Sequence, residues 1–122
     1  MNFSQLHHQS QPLLIANVWD VPSALAAENA GYQAMGTSSA AIAAMLGYAD
    51  GEGLTFAELR YLVSRIRACT TLPLSVDMEA GYANSVDGIV ENLQQLAALG
   101  VVGVNLEDSR VQGGVRRLEN AD

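Results

Sequence analysis

Four carboxylates sit where they could share one task. Asp77 and Glu79 fall in "PLSVDMEAGYAN", Glu107 closes "VGVNLEDS", and Asp50 lies in the polar stretch "GYADGEGL". Side chains two apart on a strand share a face, so Asp77 and Glu79 point the same way if the strand persists to Glu79. Several carboxylates at close range cannot all ionise unless a positive group stands among them. The chain has no lysine, and of its six arginines Arg110 is the one near these segments. A divalent cation is the simpler counter-charge. Oxygen donors without thiolate or imidazole favour Mg²⁺, with Mn²⁺ as second choice, over zinc. The plainer reading is that such acids cap helices or stand solvated in loops, with Asp50 a turn residue and Glu107 the start of a loop. Spacing alone leaves both readings open.

The elements that must position these acids are legible as an alternation. Apolar runs at 13–17, 33–37, 74–78 and 102–106 read as strands. Helices are expected over about 22–30, with Asp20 as cap, and over 40–46. A third begins at Thr55, where Thr55 and Glu58 have capping-box spacing, and carries Leu59, Leu62, Val63 and Ile66 as its apolar stripe. A fourth covers 86–99, with Ile89, Leu93 and Leu96 inward. Strand and helix in alternation argue for an α/β fold with parallel strands. The carboxyl ends of such strands lie together, which brings Asp50, Asp77, Glu79 and Glu107 to the end where α/β proteins place their sites. Residues 1–11 read as a disordered start, with His7 and His8 not ligands. A further helix is expected near Val115, exposing Arg116 and Arg117. Cys69 ends a helix on the side away from the site and reads as a packing residue.

Composition narrows the function. The chain has 122 residues, 49% of them hydrophobic and 16% charged, a profile of one globular domain. Its net charge of −7 disfavours nucleic acid as a partner. No apolar run is long enough for a bilayer, no membrane role is expected, and the polar N-terminus does not read as a secretory signal, so the expected location is cytoplasmic. A single cysteine excludes an internal disulfide, and the missing lysine excludes Schiff-base chemistry.

The stretches "NVWDVPSALAAENAGYQAMGTSSAAIAAMLGYADGE", "LPLSVDMEAGYAN" and "GVVGVNLEDS" occur in the order and at the spacing of a known family. By them the chain resembles the isocitrate lyase/phosphoenolpyruvate mutase superfamily. The resemblance implies a (β/α)8 TIM-barrel with Mg²⁺ at its carboxyl end, of which residues 1–122 supply about the first four βα units. It implies Asp77 and Glu79 as paired metal-site residues, Glu107 as a further acid, and Asp50 acting on a metal-bound water. It places Ser38, Ser39 and the Ala40 amide at the substrate carboxylate, and Trp19 and Asp20 at the same mouth. For Ser38 and Ser39 a helix N-cap is an equal alternative, and both can hold together. The implied activity is that of a lyase acting on a C–C bond beside a 2-oxo or 2-hydroxy carboxylate through a metal-stabilised enolate. Phosphonomutase-type P–C chemistry is the alternative. The implied partners are a small oxo or hydroxy carboxylate and further copies of the chain in a homo-oligomer.

Three departures qualify this. The K-K-C-G-H loop of the family's lyases is absent from "SRVQGGVRRLENAD", and no mutase-type asparagine loop is evident. The pair is Asp-x-Glu where many relatives have Asp-x-Asp. A full barrel takes about 250 residues, so a half barrel with open first and fourth strands is expected. That opens two further readings, a truncated non-catalytic fragment and a half-barrel module that pairs through its edges.

Overall fold

The computed structural model describes residues 1–51 and 53–121. A short helix α1 (Phe3–Leu6) leads into β1 (Ile15–Val18), α2 (Val21–Asn29), β2 (Ala34–Thr37), α3 (Ser39–Leu46) and α4 (Phe56–Cys69). Next come β3 (Leu74–Asp77), α5 (Val86–Ala98), β4 (Gly103–Asn105), and a pair β5 (Ser109–Gln112) and β6 (Val115–Leu118). The first four strands form one parallel sheet in the order β1–β2–β3–β4. The α/β alternation read from the sequence is therefore the architecture.

Each helix starts where a side chain can satisfy its free amides. Asp20, Ser38, Thr55 and Ser85 cap α2, α3, α4 and α5. At α4 the predicted reciprocal box is present, with the Thr55 amide donating to Glu58 Oε2 at 2.8 Å and the Glu58 amide to Thr55 Oγ1 at 3.2 Å. Leu59, Val63 and Ile66 are its buried stripe. Thr55→Ala is expected to lower stability by about 1 kcal/mol, read as a shift of the urea midpoint at unchanged slope.

The sheet has two unlike faces. Val18, Met35, Leu74, Val76 and Met78 are fully buried and belong to the same core as Leu59, Val63, Ile66 and Leu96 of the helices. The strand registers align Asn17, Gly36, Ser75 and Gly103 as one row of small or polar residues across all four strands. Phe3 of α1 lies over the end of that row. A Cβ at Gly103 would stand 2.6 Å from the Phe3 ring and 3.2 Å from Ser75 Oγ, so only glycine admits the ring this close.

Three expectations are corrected. Residues 1–11 are not a disordered start throughout. Asn2 and Gln5 form a capping box around α1, Leu6 is buried, and His7 Nδ1 lies 2.9 Å from the Phe3 carbonyl. No helix begins near Val115. Gly113 and Gly114 both take positive φ, 58° and 76°, the geometry of a two-residue type I′ turn, and close β5 and β6 into an antiparallel hairpin. Cys69 is exposed at the end of α4, so it does not pack in the core. Among the described residues no helix is long and apolar enough to cross a membrane.

Candidate active site

Asp77 is the last residue of β3, and the fold fixes it from three sides. Its amide donates to Thr37 Oγ1 at 2.9 Å, tying it to the end of β2. Ser39 Oγ donates to Asp77 Oδ2 at 2.8 Å, and the Glu79 amide donates to Oδ1 at 3.0 Å. Both carboxylate oxygens are thus held, and the first turn of α3 is linked to the end of β3. Ser39 is buried, so its contact with Asp77 is sheltered from water.

The strand does not persist to Glu79. It ends at Asp77, and Glu79 takes a left-handed backbone with φ 46°. Strand alternation therefore does not set the direction of the Glu79 side chain, contrary to the sequence expectation. Hydrogen bonds hold it instead. Tyr82, also left-handed at φ 57°, donates its hydroxyl to Glu79 Oε2 at 2.6 Å. Gly81 between them takes φ 101°, and a Cβ there would stand 2.7 Å from Ile89. Asn92 of α5, buried, donates to the Gly81 carbonyl at 2.9 Å and fixes the turn from below. Non-glycine residues in this region of backbone space cost of order 1–3 kcal/mol and cluster at functional sites. The Glu107 amide donates to the Glu79 carbonyl at 2.6 Å, so the loop after β4 is bound to the loop after β3.

Burial pushes the Glu79 carboxyl above the usual carboxylate range, the Tyr82 hydrogen bond works against this, and repulsion from Asp77, Asp50 and Glu107 adds to the rise. The Tyr82 hydroxyl is held far above its usual range by burial and by Glu79. Asp77, Asp50 and Glu107 lie near enough to Glu79 for their charges to raise its carboxyl, but among the described residues no three Asp, Glu, His or Cys side chains form a ligand set. Glu107 has a partner of its own, since Arg116 Nη1 lies 2.8 Å from Glu107 Oε2. Asp50 is exposed on the loop between α3 and α4; Glu52, the last residue of the "LGYADGE" stretch, lies outside the described residues.

Ser38 is the N-cap of α3, its Oγ accepting from the Ala41 amide at 3.3 Å, and its own amide donates to the Val18 carbonyl at 2.9 Å. Ala40 is exposed in the first turn. The start of α3 therefore adjoins Asp77 through Ser39. Asp20 and Trp19 are engaged elsewhere. Asp20 Oδ1 accepts from the Ser23 amide at 2.8 Å, and the Trp19 amide donates to Ser23 Oγ at 3.0 Å. The Trp19 ring borders a shallow hollow along α2 with Pro22, Ala26 and Tyr32. Contacts of Thr37, Tyr82 and Arg116 with the acids were not anticipated. Tyr82 stood in a quoted motif, but nothing in its spacing announces a bond to Glu79.

A parallel sheet with helices between its strands and Asp77 at a strand's carboxyl end is the arrangement of the first units of a (β/α)8 barrel. The profile of the phosphoenolpyruvate phosphomutase family matches residues 3–121, and the chain belongs to that family, within the isocitrate lyase/phosphoenolpyruvate mutase superfamily. It is 38% identical over 112 residues to an uncharacterised Mycobacterium tuberculosis protein, covering 92% of this chain and 42% of that one. It is 35% identical over 94 residues to an oxaloacetate decarboxylase of a Bradyrhizobium strain, covering 76% of this chain and 32% of the relative. A crystal structure from Burkholderia cenocepacia, provisionally named a phosphonomutase, superimposes with a TM-score of 0.88 at 37% identity and covers 97% of this chain and 46% of that one. The chain thus spans less than half the length of these relatives.

Proposed function

We propose that this chain carries the acidic half of a Mg²⁺-dependent site that breaks or forms a C–C bond beside a 2-oxo or 2-hydroxy carboxylate. The observation that carries the reading is Asp77 at the end of β3, fixed at both carboxylate oxygens by the Ser39 hydroxyl and the Glu79 amide. The donor set fits a hard cation. Mg²⁺ is commonly bound through one or two carboxylates, keeps several waters and takes substrate oxygens. That suits a site built on Asp77, whose two oxygens the fold aims, and Mn²⁺ fits the same donors. When bound, the ion supplies positive charge opposite the substrate oxygens as negative charge develops there.

The chain's own groups do the rest. Asp77 would hold the ion, with Glu79 and Glu107 as the further acids of the site. Ser39 and Thr37 keep Asp77 in place. The first turn of α3, with Ser38 as its cap, offers the Ser39 and Ala40 amides to the substrate carboxylate, the Ser38 amide being bonded to the Val18 carbonyl. Asp50, on an exposed loop at the same end, is the group to exchange a proton with substrate or water. Trp19 and Asp20 serve as mouth residues in this reading, with Asp20 also capping α2. The likeness to an oxaloacetate decarboxylase supports C–C cleavage, and the phosphonomutase-like crystal structure supports P–C chemistry as the second reading. A cytoplasmic location and a homo-oligomeric state complete the proposal; sedimentation of the purified chain reads the latter.

The test is thermal melting of the 122-residue chain with MgCl₂, followed by proton and phosphorus NMR of oxaloacetate, malate and phosphonopyruvate incubated with it. Mg²⁺ at a hundredfold excess over its dissociation constant is expected to add about 2.7 kcal/mol of stability. No response to millimolar Mg²⁺ or Mn²⁺ would overturn the site. Binding without turnover would favour the non-catalytic fragment.

A further inference from the structure

The β5–β6 hairpin brings two guanidinium groups beside Glu79, and they are not equivalent. Both border a cavity of about 140 Å³ that Glu79 and Tyr82 also line. Arg110 is committed to structure. Its Nη2 donates to the Ala83 carbonyl at 2.7 Å, its Nη1 to Asn84 Oδ1 at 3.4 Å, and its Nε pairs with Glu119. Arg116 uses Nη1, which donates to Glu107 Oε2 at 2.8 Å and to Ser109 Oγ at 3.0 Å. Its Nη2 lies 3.6 Å from where a Cβ on Gly51 would stand, beside the loop that carries Asp50. A Cβ at Gly51 would also come within 2.8 Å of Val111 Cγ2, so the missing side chain lets the hairpin seat there.

We infer that Arg116 is a specificity-determining residue, exchanging Glu107 for the far anionic group of a substrate whose 2-oxo or 2-hydroxy carboxylate end lies at Asp77. The inference rests on the site proposed above and adds the residue that reads the other end of the substrate. Arg116 and Glu107 have side chains 49% and 42% exposed, and ion pairs so open to water are worth little. Replacing the Glu107 partner with a substrate carboxylate therefore sacrifices little. The planar fork of a guanidinium matches a carboxylate with two parallel N–H donors, which a lysine does not reproduce. The exchange also releases Glu107, so a dianionic substrate would restore a carboxylate that Arg116 otherwise neutralises.

The experiment compares lactate and malate, which differ by one carboxylate, binding to the Mg²⁺-saturated chain by calorimetry. The wild type is expected to bind malate up to about fivefold more tightly than lactate, the worth of one ion pair as open to water as this. Arg116→Ala should remove that preference and leave lactate within about twofold of the wild-type value. Arg116→Lys should recover part of the preference. A melting curve and a Mg²⁺ response like the wild type's show that Arg116→Ala is folded; if it is not, Arg116→Gln gives the same comparison. Equal binding of the two acids by the wild type, or a preference that survives loss of the guanidinium, overturns the inference while leaving the proposed site standing. Binding of neither acid in Mg²⁺ overturns the site and the inference together.

Discussion

Asp77→Asn is expected to remove most of the chain's response to Mg²⁺ while leaving the fold intact. The substitution keeps the size of the side chain, and the amide can still meet its neighbours, with Oδ1 accepting from the Glu79 amide and Nδ2 donating to a rotated Ser39 hydroxyl. Only the negative charge is lost. Mutating groups that merely orient a metal ligand costs about 10- to 100-fold in affinity, so loss of the best-positioned carboxylate should cost at least about a hundredfold. The stabilisation by Mg²⁺ should fall accordingly, and calorimetric titration beside melting curves reads both. An Asp77→Asn chain that binds Mg²⁺ like the wild type would show that the cation is held elsewhere.

Glu79→Gln is expected to act in the opposite sense on stability. The Glu79 carboxyl is raised in the native state, chiefly by burial, with repulsion from the other acids adding to it. A raised native value means that the folded protein binds the proton more tightly than the unfolded chain. The stabilising contribution is therefore complete below the ordinary glutamate range and is lost as pH climbs through the raised native value. At neutral pH without metal, ionised Glu79 is a liability. Glutamine keeps an oxygen for the Tyr82 hydroxyl and removes the charge. The variant should gain a few tenths to about 1 kcal/mol at pH 7.5, because solvent screens the half-buried charge, and little at pH 4. Saturating Mg²⁺ should narrow or reverse the difference, because a cation favours the ionised carboxylate. Urea midpoints at the two pH values, with and without Mg²⁺, check the sign. A variant less stable than wild type at pH 7.5 without metal would show that the Glu79 charge is already compensated.

The β-strands and helices that carry the acids were legible because their signals are local. Apolar runs, the Thr55–Glu58 spacing and the alternation of strand with helix lie within short windows. The end of β3 was not, because nothing in "DMEAGY" says that the backbone turns left-handed at Glu79; Gly81, pressed against Ile89, and the bond from Asn92 to its carbonyl lie behind that turn. The Ser39–Asp77 bond joins residues 38 apart, and no periodicity reports such a contact. The hairpin was a different kind of miss. "SRVQGGVRRL" holds two strand-length runs around a two-glycine turn, a readable hairpin signal that the arginines disguised as a helix face. Asp20 shows the reverse case, since its expected capping role is what the structure displays, while its proposed place at the mouth has no contact to support it.

The registers of the sheet give β1 the neighbour β2 and β4 the neighbour β3, leaving the far flank of each without a strand among the described residues. Leu14, Ile15, Val102, Val104 and Leu106 are exposed along these flanks. A strand that docks there in the prevailing direction must bring its own C-terminal residue to the end of the sheet where Asp77 stands. The polarity of the sheet thus decides where any added segment contributes its side chains, so whatever completes the wall also furnishes the chamber.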